Sequence, residues 1–145
     1  MIQLGQTFDP GEERGGYRVT LHENTSACLY RSLWDSFPGG PLATPFQSPE
    51  FVSAFCKAIA APNQVTFNIC EIRHARSGMP ILLLPYTVHN RGPIRVASLP
   101  DFGLADQNAP ALSKILPVSS ADFAAVWGQF TARLVSADLI DIPKV

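Results

Sequence analysis

Residues 64–89 read QVTFNICEIRHARSGMPILLLPYTVH, and this stretch predicts a β-hairpin. Its first part, residues 64–75, has side chains that alternate between two faces with the period of a strand. Residues 76–78 (RSG) supply a turn. The second part, residues 80–89, is a continuous apolar run, which predicts a strand buried on both faces. Pro85 lacks a backbone N–H, so this strand is expected to lie at an edge or to contain a bulge.

Outward from the hairpin, the sequence predicts further strands and helices on both sides. Residues 17–23 alternate like a strand, and residues 26–37 have apolar side chains at helical spacing. Ser48 suits the N-cap of another helix, because its hydroxyl can accept a free backbone N–H, and Pro49 fits the first helical position. The remaining expected elements are a strand at 93–99, a long irregular segment at 100–119, a helix at 121–135 and a strand at 138–142. This order predicts an α/β fold with a mixed, mostly antiparallel sheet flanked by helices.

The apolar spacing also predicts which side chains face the core. In the helix after Ser48 the inward stripe includes Ala58, and residues 62–63 end the helix. In the helix at 121–135 the inward face includes Phe123. Free cysteine packs as a small hydrophobic residue, so core positions are expected for all three cysteines: Cys28, Cys56 and Cys70.

Composition limits the class of protein. The 145 residues are 46% hydrophobic and 16% charged, with a net charge of −1, so one domain is expected and nothing recruits nucleic acid or an anionic membrane. No apolar run of about 18 residues is present, so no transmembrane helix is expected. The N-terminus lacks the basic and apolar regions of a signal peptide, which favours the cytoplasm. Residues 1–16 are expected to form a flexible arm.

Several short motifs carry a family resemblance. Trp34-Asp35 in the first helix, PFQSPEF at 45–51, the hairpin CEIRHARSGMPILLLPY at 70–86 and the following loop with spaced aspartates are the motifs concerned. Together they resemble the N-terminal half of the CelD/BcsL-like acyltransferases, a family with the GNAT fold that is similar in architecture to the two-lobed Fem-type peptidyltransferases. The resemblance covers residues 17–145 and implies a GNAT-like N-terminal lobe. Members are usually more than twice as long, so the second lobe is expected to be absent here.

The resemblance implies a function for the chain. The family is associated with cellulose and exopolysaccharide synthesis, which implies acyl transfer from acyl-CoA, as co-substrate of the complete enzyme, to a saccharide or amine acceptor. A GNAT lobe that holds acyl-CoA has a Gly-rich turn before its third helix, where a helix N-terminus binds pyrophosphate. Here the long segment contains Gly103 as its one glycine, so this lobe is expected to bind no CoA and to be catalytically incomplete alone. The alternative is a non-catalytic binding domain that pairs through its C-terminal edge strand with a second lobe or another copy.

Candidate site residues come from two places in the chain. Asp101, Phe102 and Asp106 lie in the long segment, where carboxylates could bind sugar or amine groups; the alternative is a solvated loop with local turns. Phe46 and Gln47 could border a cleft, although Phe46 could also pack against the following helix. The sequence assigns no catalytic residue, since Glu71 is only a formal candidate for a base, and the scattered histidines predict no metal site.

Overall fold

The computed structural model describes residues 16–100, 109–116 and 118–142. These residues contain one six-stranded β-sheet. The strands are β1 (Tyr17–His22), β2 (Thr66–His74), β3 (Pro80–Arg91), β4 (Ile94–Ser98), β5 (Ala111–Leu112) and β6 (Leu139–Ile140). The helices are α1 (Ala27–Asp35), α2 (Pro49–Phe55) and α3 (Ser120–Arg133). The expected N-terminal arm, residues 1–16, lies outside the described residues except for Gly16.

The sheet is mixed and mostly antiparallel. Its order is β1-β2-β3-β4-β6, and β5 pairs separately with β3. Only β4 and β6 run parallel within the described ranges. The predicted α/β fold class is therefore confirmed, and the arrangement is consistent with a GNAT-like lobe. Strand β5 was not predicted from the sequence. Ala111 and Leu112 pair with β3, whereas the sequence predicts an irregular segment at these positions.

Strand β3 is central rather than at an edge, so the edge position, one of the two alternatives predicted from Pro85, is wrong. The other alternative is a bulge, and the β2–β3 register does shift between Ile72 and Arg73, although Pro85 itself pairs in regular register with Ile69.

One side of β3 pairs with β2, and the other side pairs with β5 near Leu82 and with β4 from Thr87 onward. Pro85 lies between these two short pairings. By alternation its nitrogen points to the same side as the carbonyl of Ile81, which accepts from Ser113. The missing N–H therefore faces the gap between β4 and β5, where no described strand needs it.

Helices cover both faces of the sheet, as its alternating side chains require. On one face, α1 and α2 pack against Phe67, Ile69 and Leu83, and the side chains of Tyr30 and Val52 are fully buried there. On the other face α3 packs against residues that alternate with these, namely Cys70, Ile72, Leu82, Leu84 and Tyr86.

Strand β3 is buried on both faces from Pro80 to Thr87, whereas Val88 and His89 are half-buried. The predicted burial of the apolar run is therefore confirmed except at its last two residues.

The helix predicted to reach Pro62 changes its winding earlier. Ser48 and Pro49 begin α2 as predicted, and the Ser48 hydroxyl accepts the Phe51 N–H at 3.2 Å. After Phe55 the chain forms a π-helical turn over Cys56–Ala60. This wider turn shifts the inward stripe, so that Ala60 is buried and Ala58 is exposed, contrary to the predicted stripe.

Besides Ala58, two predicted core residues lie at the surface. Cys28 is exposed, because Tyr30 faces the sheet and a residue two positions earlier on a helix points about 200° away. Phe123 is 42% exposed. It stacks on Trp127 with ring centroids 6.3 Å apart, because a cavity separates the first turns of α3 from the sheet. Cys70 is buried as predicted.

Candidate functional site

The predicted site residues Phe46 and Gln47 belong to a 3-10 turn, Pro45–Gln47, just before α2. The Oε1 atom of Gln47 accepts hydrogen bonds from the backbone N–H of Thr44 at 2.9 Å and from its hydroxyl at 2.7 Å. Phe46 packs edge-to-face against Phe51, with ring centroids 5.5 Å apart. Gln47 is 3% exposed, so a local capping arrangement explains this polar residue. Substrate binding by Phe46 or Gln47 stays a prediction.

The other predicted site residues, Asp101, Phe102 and Asp106, lie outside the described residues. The described chain resumes at Ala109 and Pro110, which line an apolar cavity between the sheet and α3. Substrate binding by Asp101, Phe102 or Asp106 stays a prediction.

The apolar cavity beside α3 has a volume of about 320 Å³. Hydrophobic side chains and the Cys70 thiol surround it, and Leu99, which follows β4, and Ile142, which follows β6, both contribute. The cavity therefore lies between α3 and one face of the sheet, and residues that follow two parallel strands form part of its wall. This lining could accept an apolar group of a ligand. No sequence motif predicts the cavity, because the cavity results from the packing of α3 at a distance from the sheet.

The N-terminus of α3 already holds a carboxylate of its own. Asp122 Oδ2 accepts hydrogen bonds from the Ser119 hydroxyl at 2.8 Å and from the Tyr17 hydroxyl at 3.2 Å. The Ser119 oxygen accepts the Asp122 N–H at 3.1 Å. A helix N-terminus attracts anions through free N–H groups and its dipole. Here Asp122 supplies that negative charge, which opposes the binding of a phosphate at the same place.

Glu71 lies in a cluster of charged side chains on the α1 and α2 face of the sheet. Its carboxylate is 3.3 Å from Arg73 Nε and 3.9 Å from His22 Nε2. Burial would raise the pKa of Glu71, but its contacts with His22 and Arg73 outweigh burial and lower the pKa. The 3.9 Å contact is too long for a hydrogen bond, so Arg73 is the closer partner. A carboxylate held in its ionised form is a weaker base, which argues against Glu71 in general base catalysis.

A second concave region, the polar groove, lies beyond the C-terminal end of α3. It has a volume of about 450 Å³. Its walls come from loops and strand ends that are distant in sequence, and include Glu23, Gln64, Asn68, Asn90, Arg95 and Ser136. Asn68 and Asn90 share the α3 face of the sheet, since they alternate in step with Cys70 and Tyr86. The sequence gives no motif for this groove, because five separated segments form it.

The charged groups of the polar groove are already partnered. The Asp138 carboxylate accepts from the Arg95 backbone N–H at 2.9 Å and from its guanidinium at 2.9 and 3.2 Å. Glu23 accepts a hydrogen bond of 3.1 Å from the Ser136 hydroxyl. The groove therefore offers hydrogen-bonding groups without a strong excess of either charge.

The polar groove also contains unusual backbone. Asn24 and Gln64 have φ angles of 48° and 55°, and within the described ranges they are the two non-glycine residues with positive φ. Asn adopts this left-handed conformation readily. Gln64 occupies the left-handed position of a helix end, where the Val65 N–H donates to the Ala60 carbonyl at 2.9 Å and the Gln64 N–H to the Ala61 carbonyl at 3.3 Å. Local turn geometry therefore explains both angles.

A metal site and a membrane-spanning helix both require features that the described residues lack. In the parts of the chain that are described, no group of three or more His, Cys, Asp or Glu residues could hold a metal ion. Over the same residues, none of the helices has the length and apolar character needed to cross a membrane.

Comparison of the chain with protein-family models, with curated proteins and with solved structures found no match.

Proposed function

We propose that the chain forms one lobe of an acyl-CoA-dependent acyltransferase that acts on a saccharide or amine acceptor in the cytoplasm. The unit β4–α3–β6 is the observation that supports this most. The connection between these two parallel strands contains β5 and the helix α3, and an apolar cavity lies between α3 and the sheet. The sequence motifs that resemble the CelD/BcsL-like family support exopolysaccharide or cellulose synthesis as the setting.

In this proposal the lobe contributes the acceptor side of the reaction. The Asp122 carboxylate at the α3 N-terminus disfavours a pyrophosphate there, which supports acyl-CoA binding by a second lobe or subunit. The ion pair with Arg73 makes Glu71 a poor base. Catalysis in such an enzyme would rest largely on orienting the acceptor toward the thioester.

Calorimetric titration of the 145-residue chain with neutral oligosaccharides, small amines and free CoA tests this proposal. We expect an acceptor to bind, CoA not to bind, and no acetyl transfer from acetyl-CoA by the chain alone. A chain that binds none of the sugars or amines would contradict the proposed function. CoA binding accompanied by acetyl transfer would indicate a single-lobe acetyltransferase instead.

A non-catalytic interaction domain is the second candidate, and strand β6 favours it. Within the described ranges β6 is an outer strand of the sheet, and Leu139 on it is 46% exposed. An open strand edge can pair with another chain. Size-exclusion chromatography with light scattering tests this candidate. A dimer that Leu139→Lys abolishes would support it, and a monomer at every concentration would contradict it.

A further inference from the structure

The polar groove presents side chains that both donate and accept hydrogen bonds. Asn24, Gln64 and Asn90 are exposed amides in or beside its walls. Each amide offers two donors and one acceptor oxygen. Asn68, in contrast, is 1% exposed and holds the loop in place, because its Oδ1 accepts the Asn24 N–H at 2.8 Å. The groove thus has a buried amide that fixes its shape and exposed amides that remain for a ligand.

The charges of the groove weigh against an ionic ligand. An anion such as phosphate needs unpaired cationic donors, whereas the Arg95 guanidinium is bound by Asp138 and Glu23 would repel an anion. A cation would find a single carboxylate in the groove, with the positive Arg95 in the same groove. A neutral ligand that carries many hydroxyl groups matches these walls better, since a hydroxyl also donates and accepts.

The size of the groove suits a small ligand. Its volume of about 450 Å³ lies within the roughly 300–1,000 Å³ of small-molecule pockets. Asn24 and Gln64 lie in two separate loops that both line it.

We propose that the polar groove binds a neutral saccharide through the exposed amides of Asn24, Gln64 and Asn90. This inference rests on the proposed function, because it assigns the acceptor to a place and selects the saccharide over the amine. It also places the acceptor away from Phe46 and Gln47, which lie on the opposite face of the sheet, beside α1 and α2.

The test is a titration of the 145-residue chain with cellotriose and maltotriose as neutral probes, and with glucosamine and inorganic phosphate as charged ones. Asn90→Ala removes one exposed amide and should raise the Kd of a trisaccharide about two- to tenfold, the loss of one neutral hydrogen bond. Asn63→Ala is the matched control, since it removes an exposed amide next to Gln64 that does not line the groove. Glu23→Gln removes the charge of this groove residue while keeping hydrogen-bonding atoms, so it separates charge-dependent binding of glucosamine from hydrogen bonding to a neutral sugar.

A second measurement follows the site directly. In nitrogen-15 NMR spectra, the side-chain NH₂ signals of Asn24, Gln64 and Asn90 should shift on addition of a trisaccharide, and that of Asn63 should not. Trisaccharide binding that Asn90→Ala leaves unchanged, without these shifts, would overturn the groove as the site but keep the proposed function. Binding of glucosamine alone, lost in Glu23→Gln, would overturn the neutral ligand. Failure of every sugar and amine to bind would remove the proposed function as well.

Discussion

The phenolic hydroxyl of Tyr30 donates a hydrogen bond of 2.6 Å to the backbone carbonyl of Gln47. Tyr30 is fully buried in α1, and Gln47 closes the 3-10 turn before α2, so this bond joins the two helices on one face of the sheet. Tyr86 is also buried, against α3, but its hydroxyl has no hydrogen-bond partner within the described part of the chain. The two phenols therefore form a matched pair.

Tyr30→Phe should lower the free energy of unfolding by about 1–3 kcal/mol, because it leaves the buried Gln47 carbonyl without a donor. Tyr86→Phe should be neutral or stabilising, since it removes a buried hydroxyl that makes no hydrogen bond to the described residues. Urea unfolding followed by circular dichroism measures both variants. Equal losses of stability in the two would contradict the assignment of the Tyr30 hydrogen bond.

Gln47→Ala should lower the free energy of unfolding by about 1–2 kcal/mol, the range for a lost capping interaction. Its Oε1 atom is the acceptor for both the N–H and the hydroxyl of Thr44. A double-mutant cycle with Thr44→Val measures the hydrogen bond between the two side chains, because residues that share a hydrogen bond give non-additive losses. Strictly additive losses would show that the Thr44 hydroxyl does not stabilise the fold through Gln47.

Features set by neighbouring residues could be predicted from the sequence. The β2–β3 hairpin follows from alternation and a glycine turn, and Gly78 has the positive φ of 71° that such a turn needs. The start of α2 follows from Ser48 and Pro49, whose roles depend on the first helical turn alone. Phe46 packs on that helix through Phe51, which is the structural alternative to a role at the border of a cleft.

Features set by distant residues could not be predicted. The pairing of Ala111 with Leu83 joins positions far apart in the chain, and two residues are too few for a recognisable strand pattern. The error over Pro85 has the same origin, since the gap beside it depends on where β4 ends and β5 begins. The loops that line the polar groove have an ordinary composition, so the groove can be recognised only in the folded chain.

Asp138→Asn should lower stability near neutral pH, and the difference from the unmodified chain should vanish as the pH falls. Hydrogen bonds from the Arg95 side chain and backbone lower the pKa of Asp138 from 3.8 to about 2. Because the folded pKa is depressed, the stabilisation is present above 3.8 and is lost as the pH falls through about 2. Melting temperatures of both chains between pH 6 and about pH 2 measure this. The pair is exposed, so added salt should also reduce the difference. A difference that persists at the acid end would contradict the Arg95–Asp138 assignment.

The three cysteines should react with iodoacetamide in the order Cys28, Cys56, Cys70. The thiolate is the reactive form, and access to it is required. Cys28 is exposed, whereas burial raises the pKa of Cys56 to about 11 and also raises that of the fully buried Cys70. Peptide mass mapping after timed labelling of the native chain gives the three rates, and labelling in concentrated urea, where all three should react alike, is the control. Native labelling of Cys70 as fast as Cys28 would mean that the sheet face under α3 is open to solvent, contrary to the packing of Cys70 against Val126 and Phe130 in the same core cluster.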